Sequence, residues 1–381
     1  MRRPLLVLSL ALLAAVGACK KEKEVEPPAE LVDFKQVLEV DRAWSVGMGG
    51  DEVLRLALSP AVDGTTVYLA GHGGEVAAVG LENGRKLWDT DLKLPLSAGP
   101  GVGAGLVVVG SPEGDLVALD AAAGAERWRV RLSGEILARP AVGGEIVVVH
   151  TVDGTLHGLR VADGTTAWSY EQQVPRLSLR GSAEPVIDGD SVLCAFDNGR
   201  VAAIGLSDGA LLWSATVSPP RGRTELERLV DIDSPVRVSG EDVFVVGYQG
   251  RVAMLARGSG QIWWARDLSS YRGLDLDESS AFVSTAEGAV VSVSRRDGSE
   301  QWRQDAMRLR GLSAPAVDGD AVVVGDFEGY LHWIDRRSGE LLARTKAGGD
   351  RISNAPVAVN GFVLVQDDGG TVAAYRARPR G

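Results

Sequence analysis

Few residues in this 381-residue chain are spaced so that they could do chemistry. It has two cysteines, Cys19 and Cys194, and four dispersed histidines, His72, His150, His157 and His332. They make neither a His-Glu-x-x-His motif nor a Cys-ligated zinc site. The acid pairs Asp188-Gly189-Asp190 and Asp318-Gly319-Asp320 lack the glycine and distal glutamate of an EF-hand loop and read as turn chemistry. No P-loop, dinucleotide fingerprint or Gly-x-Ser-x-Gly elbow occurs. The reading is of a protein that is not an enzyme, with no metal and no cofactor. The candidate for covalent modification is the thiol of Cys19.

Arg2 and Arg3 precede an apolar run from Leu5 to Val16, which ends in the small residues Gly17 and Ala18. A charged start, about a dozen apolar residues and a small-residue end make a secretory signal, too short to span a bilayer. Val16-Gly17-Ala18-Cys19 resembles the bacterial lipobox, in which the cysteine is lipidated and becomes the mature N-terminus. Residues 1–18 are then a lipoprotein signal peptide. Lys20 and Lys21 follow the cysteine without an Asp, which by the rules of such lipoproteins directs the protein to the outer membrane. Residues 20–30 are charged, Pro-containing and without apolar periodicity, so 19–32 is expected to be a lipid-anchored flexible tether. Cys194 reads as a buried structural thiol.

The formal charge is −11, or −13 once Arg2 and Arg3 are removed with the signal. Scattered acid with a pI near 5.0 argues against nucleic-acid binding, which needs a basic stripe. Glycine is 48 of 381 residues, nearly twice its usual share of about 7 %. With 45 % apolar residues, that describes a turn-rich globular chain.

The positioning elements repeat about every 40 residues. One unit runs Pro140-Ala141-Val142, Ile146-Val147-Val148-Val149, Asp153-Gly154-Thr155-Leu156-His157-Gly158-Leu159 and Asp163-Gly164-Thr165-Thr166-Ala167-Trp168. Short apolar runs separated by Asp-Gly turns make four antiparallel strands. A Gly four residues before a Trp recurs as Gly84/Trp88, Gly124/Trp128, Gly164/Trp168, Gly209/Trp213, Gly260/Trp264 and Gly298/Trp302, and a seventh copy, Gly339/Ala343, has lost its Trp. The eighth unit ends before its Trp strand, and the missing strand stands at the other end of the chain around Trp44. The pattern predicts an all-β fold over 33–378, an eight-bladed β-propeller of four-stranded antiparallel blades. An N-terminal strand completes the last blade and protects its edge. Trp44, Trp88, Trp128, Trp168, Trp213, Trp264 and Trp302 are expected to form a structural ring between blades, each preceding glycine permitting a tight turn. Trp333 stands off this register and is expected to matter less.

Gly-x-x-x-Trp around eight blades resembles the quinoprotein-dehydrogenase type of propeller. With the lipobox, the length and the absence of a further domain, the chain looks like the BamB (YfgL) family, lipoproteins of the outer-membrane β-barrel assembly machine. Three stretches carry the likeness: Leu177-Ser178-Leu179-Arg180-Gly181, residues 224–233 ending Asp231-Ile232-Asp233, and residues 325–333 ending His332-Trp333. The resemblance implies a non-catalytic scaffold at the periplasmic side of the outer membrane. Its implied partner is BamA, through the POTRA domains, and unfolded outer-membrane proteins are further candidates. The implied contacts are Leu177, Leu179, Arg180, Asp231 and Asp233. Independently of the resemblance, both segments precede a blade-opening proline, Pro185 or Pro235, so they fall on one face and can form one patch. The bland alternative is that Leu179-Arg180-Gly181, echoed by Leu309-Arg310-Gly311, is a turn preference and that Arg180 pairs with Asp231 or Asp233. Two rival functions also remain: a lipoprotein propeller with another envelope partner, and a quinone-dependent dehydrogenase. The irregular insertion at 217–228 stretches its repeat to 51 residues between Trp213 and Trp264.

Overall fold

The computed structural model describes residues 26–49, 56–175, 177–179, 181–220, 223, 224, 226 and 229–381. Cys19 and Arg180 lie outside the described residues. Within them the strands form eight sheets in a ring of blades, and no helix is long and apolar enough to cross a membrane.

Blade 1 comprises Ala61–Asp63, Thr66–Ala70, Glu75–Gly80 and Lys86–Asp91, each antiparallel to the next. The other blades repeat this meander. The middle strands, such as Ile146–His150 and Ala321–Gly325, are buried along their whole length. Sheets covered on both faces need such continuous apolar runs. Outer strands alternate, as in Glu126–Arg131, where Trp128 is buried between exposed Arg127 and Arg129. In the last blade, Val357–Val359, Phe362–Gln366 and Thr371–Pro379 are completed by Leu38–Gly47, which pairs antiparallel with Thr371–Pro379. The N-terminal strand thus closes the ring. One strand pair was not expected: Ala57–Leu58 adds in parallel to Ala98–Gly103 of blade 2.

The glycine of Gly-x-x-x-Trp does more than turn the chain. Gly164 has φ +72°, as a tight turn requires, but a Cβ there would also come within 2.7 Å of the Trp128 ring of the preceding blade. Gly84 likewise seats Trp44, Gly124 seats Trp88 and Gly339 seats Trp302. Each indole then donates its Nε1–H to a carbonyl of the next blade: Trp44 to Leu81 at 2.7 Å, Trp88 to Ala121 at 2.9 Å, Trp128 to Val161 at 2.8 Å. Trp168, Trp213, Trp264 and Trp302 do the same with Leu206, Arg257, Arg295 and Arg336. The motif therefore joins halves of two different contacts.

The structure corrects the expectation for Trp333. It is fully buried, whereas Trp128 keeps 8 % of its surface exposed. Trp333 lies directly across from Ala343, the position that lost its Trp. In the other blades the large residue is on the outer strand, with partners such as Ala78, Ala118 and Gly158 opposite Trp88, Trp128 and Trp168. Blade 7 has exchanged large and small across the same pair. The reason is local. The next outer strand is the chain's own N-terminal strand, which has no Gly turn before Trp44 to receive an indole from position 343.

Residues 26–37, which include the described part of the expected tether, run along blade 7. Ala29 N–H donates to Arg308 O at 2.9 Å and Val37 N–H to Leu342 O at 2.9 Å.

Candidate docking site

The connections between blades 3 and 4 and between blades 4 and 5 carry Leu177 and Leu179 on one side and Asp231 and Asp233 on the other. They meet. The Leu179 N–H donates to Asp231 Oδ2 at 2.6 Å, across 52 residues of chain. Asp231 is itself fixed by an isolated antiparallel bridge to Tyr248, whose N–H donates to Asp231 O at 2.7 Å. A Cβ at Gly181 would come within 2.8 Å of Asp233 Oδ2, so a larger residue there would have to displace the Asp233 carboxylate.

The burial of the four described residues is uneven. Leu177 is 42 % exposed, a large apolar side chain without cover, and Leu179 and Asp233 are half-buried. Asp231 is closed to solvent at 1 % exposure, so it holds the segment that presents Leu177 and Leu179 and offers no surface of its own.

A third carboxylate joins the two aspartates. Asp197 follows the buried Phe196 in a hairpin turn of blade 4, and carboxylate oxygens of Asp197, Asp231 and Asp233 lie within 4.8 Å of one another. Sequence reasoning missed Asp197, because an Asp in a hairpin turn is ordinary turn chemistry. Taking three carboxylates from water and setting them together disfavours their charged forms. Burial first, then the neighbouring Asp233 charge, pushes Asp197 up to about 7. Burial, with Asp233 and Asp197 close by, pushes Asp231 up to about 9, and burial also raises Asp233. Asp231 Oδ1 and Asp233 Oδ1 are buried with no hydrogen-bond partner. Such a cluster can share protons or accept a cationic group.

The patch borders the mouth of the central channel. A cavity of about 1080 Å³ opens there, lined by Leu179, Gly181 and Asp233 and by Arg139, Tyr271 and Arg272 from other blades. Its charges are mostly matched: Arg139 lies 3.6 Å from Glu184 and Arg237 3.4 Å from Asp275, while Arg272 stacks 4.9 Å over the Tyr271 ring. Cys194 is buried beside His150, its Sγ 3.6 Å from His150 Nδ1, and burial drives its thiol well above the usual range, consistent with a structural thiol.

Comparison with known proteins places these features in a family. The family described as "Outer membrane protein assembly factor BamB" matches residues 36–95, 72–304 and 286–379. A protein of that name from Pseudomonas aeruginosa is 43 % identical over 374 residues, covering 98 % of both chains. One from Marinobacter adhaerens is 48 % identical over 375 residues, covering 98 % of this chain and 96 % of its own. The crystal structure of BamB from Moraxella catarrhalis superposes with a TM-score of 0.81 at 28 % identity, over 89 % of this chain and all of that one. A quinohemoprotein alcohol dehydrogenase from Comamonas testosteroni has a TM-score of 0.70 at 13 % identity, over 90 % of this chain and 78 % of its own, and shares the fold alone. A ring of eight four-stranded blades, closed by the N-terminal strand and matched along nearly its whole length by these relatives, makes the chain a member of the BamB family of outer membrane protein assembly factors.

Proposed function

We propose that the protein is a non-catalytic scaffold of the outer-membrane β-barrel assembly machine, held at the periplasmic side of the outer membrane by a lipid on Cys19. It docks the POTRA domains of BamA on the patch that Leu177, Leu179, Arg180 and Asp233 present and that the buried Asp231 holds together. The observation that carries this reading is the Leu179–Asp231 hydrogen bond at 2.6 Å. It ties two inter-blade connections into one rigid surface and leaves Leu177 projecting from it. A rigid loop pair with an uncovered leucine is prepared for an interface, because ordering such loops is a main cost of binding. The family supports the scaffold reading over a dehydrogenase.

Affinity for a purified periplasmic fragment of BamA tests it. Leu177→Ala and Arg180→Ala should each weaken binding by about thirtyfold, the equivalent of about 2 kcal/mol for an interface anchor. The urea midpoint of the free protein should change little, since Leu177 is an exposed loop residue. Unchanged affinity with a lowered midpoint would assign these residues to the scaffold and end the docking reading.

A further inference from the structure

Residues 26–37 occupy a place on blade 7 whose counterpart on blade 4 is uncovered. On blade 7 the segment starts at the connection that carries Leu309-Arg310-Gly311. There the Arg310 Nη1–H donates to Ala29 O at 3.1 Å. Arg310 is held by Asp326 at 2.8 Å and by Glu328, and His332 closes the network on Asp326 at 3.0 Å. The segment then runs extended past the outer strand Leu341–Lys346, with Leu38 and Val40 beyond it packed in the same cluster as Leu342. Inward and outward positions alternate: Phe34, Gln36, Leu38 and Val40 are half-buried, and Lys35, Val37 and Glu39 are exposed. Arg344 lies across the chain, donating to Val32 O at 3.2 Å and pairing with Asp33 at 3.8 Å.

Blade 4 repeats the components at the same spacing. Leu179-Arg180-Gly181 stands 32 residues before Leu211-Leu212, as Leu309-Arg310-Gly311 stands 32 before Leu341-Leu342. The strand register is also the same, since Leu211 pairs with Ile204 as Leu341 pairs with Ile334. The difference is cover. Leu342 is half-buried beside the segment, in one cluster with Leu38 and Val40, and Leu341 is half-buried against the cluster of Phe282 and Trp302, whereas Leu211 and Leu212 are 51 % and 59 % exposed. The charge is matched from another strand. Ser214 takes the place of Arg344, and Arg200 brings its guanidinium onto Ser214 Oγ at 3.0 Å, with no carboxylate partner among the described residues.

We infer that the rim of blade 4 is a second seat for an extended polypeptide, filled by a partner in the register that residues 29–37 take on blade 7. The occupant is a strand-like segment with large apolar residues at alternate positions and a carboxylate facing Arg200. A main-chain hydrogen bond at the strand edge, as Val37 N–H makes with Leu342 O on blade 7, sets the register, and the two leucines supply the apolar contact. The inference shares Leu179 with the docking patch but needs no assembly partner for its test, so the two readings fail separately.

The probe is a fluorescent peptide of residues 26–40, titrated onto the whole mature protein, whose blade 7 is already covered by its own copy. Saturable binding below about 1 mM is expected, the range that a short linker supplies in cis. Leu211→Ser combined with Leu212→Ser should weaken it at least tenfold, with the urea midpoint of the protein unchanged. Peptide carrying Asp33→Lys should also bind less tightly. Trp263→Ser, which removes an equally exposed residue from the rim of blade 5, should leave binding intact. Absence of saturable binding overturns the inference. So does an equal loss in Trp263→Ser, which would indicate general stickiness of the rim, or equal binding of a scrambled peptide.

Discussion

Asp231→Asn exchanges a buried carboxyl for a neutral side chain of the same shape that can still accept the Leu179 N–H. Burial and the Asp233 and Asp197 charges raise Asp231 from 3.8 to about 9. The folded protein therefore keeps a proton that the unfolded chain releases above about pH 4. The stabilisation that comes with this proton is complete below the unfolded value and is lost as pH rises through the folded one. Through that window the Asp231 proton costs the natural protein up to about 1.4 kcal/mol per pH unit, a contribution that the variant lacks. From about pH 5 to about pH 8 the variant should gain up to about 4 kcal/mol relative to the natural protein, less where Asp197 and Asp233 share the proton. His150, His157 and His332, all lowered first by burial, titrate with the opposite sign, but they cancel in the difference between the two proteins. Urea unfolding followed by tryptophan fluorescence at several pH values measures that difference. A difference that does not move with pH would refute the reasoning, because Asp231 would then be ionised in the folded state and matched by a cation.

Trp333→Ala should cost about 3–5 kcal/mol, at least as much as Trp128→Ala, because Trp333 is the more completely buried. A urea midpoint nearer the natural protein than that of Trp128→Ala would show that blade 7 tolerates the cavity. Deletion through Val46 should abolish cooperative unfolding or cause aggregation by baring the edge of Thr371–Pro379, and a cooperative monomer in a sedimentation experiment would contradict closure by the N-terminus. Cys19→Ser should leave the protein unanchored or unprocessed, and its recovery in the outer-membrane fraction of cells lacking BamA would remove the lipid anchor from the proposal.

The sequence by itself determined the blades, their number and the strand that closes them. Those features rest on local chemistry repeated in every blade: a turn ending in glycine fixes a hairpin, and an apolar run of four or five residues fixes a strand buried on both faces. The juxtaposition of Leu179 with Asp231 was legible as well, because neighbouring repeats place equivalent connections side by side. Other features were decided only in three dimensions. Gly164 reads as a turn for its own Trp168, yet it also makes room for Trp128 of the preceding blade, a contact that no period announces. Trp333 looked irregular until Ala343 was found opposite it. Asp197 carried no signal because its pKa is raised by burial first and then by the Asp233 charge, and both come to it only through folding. Residues 26–32 read as the end of a solvated tether, and it is Arg308, Arg310 and Arg344, some 300 residues away in the chain, that give them a surface to lie on. Turn and strand propensities act between near neighbours and survive in a one-dimensional reading. Burial, like-charge proximity and strand-edge cover depend on which distant segments the closed ring brings together, and only the closed ring reveals them.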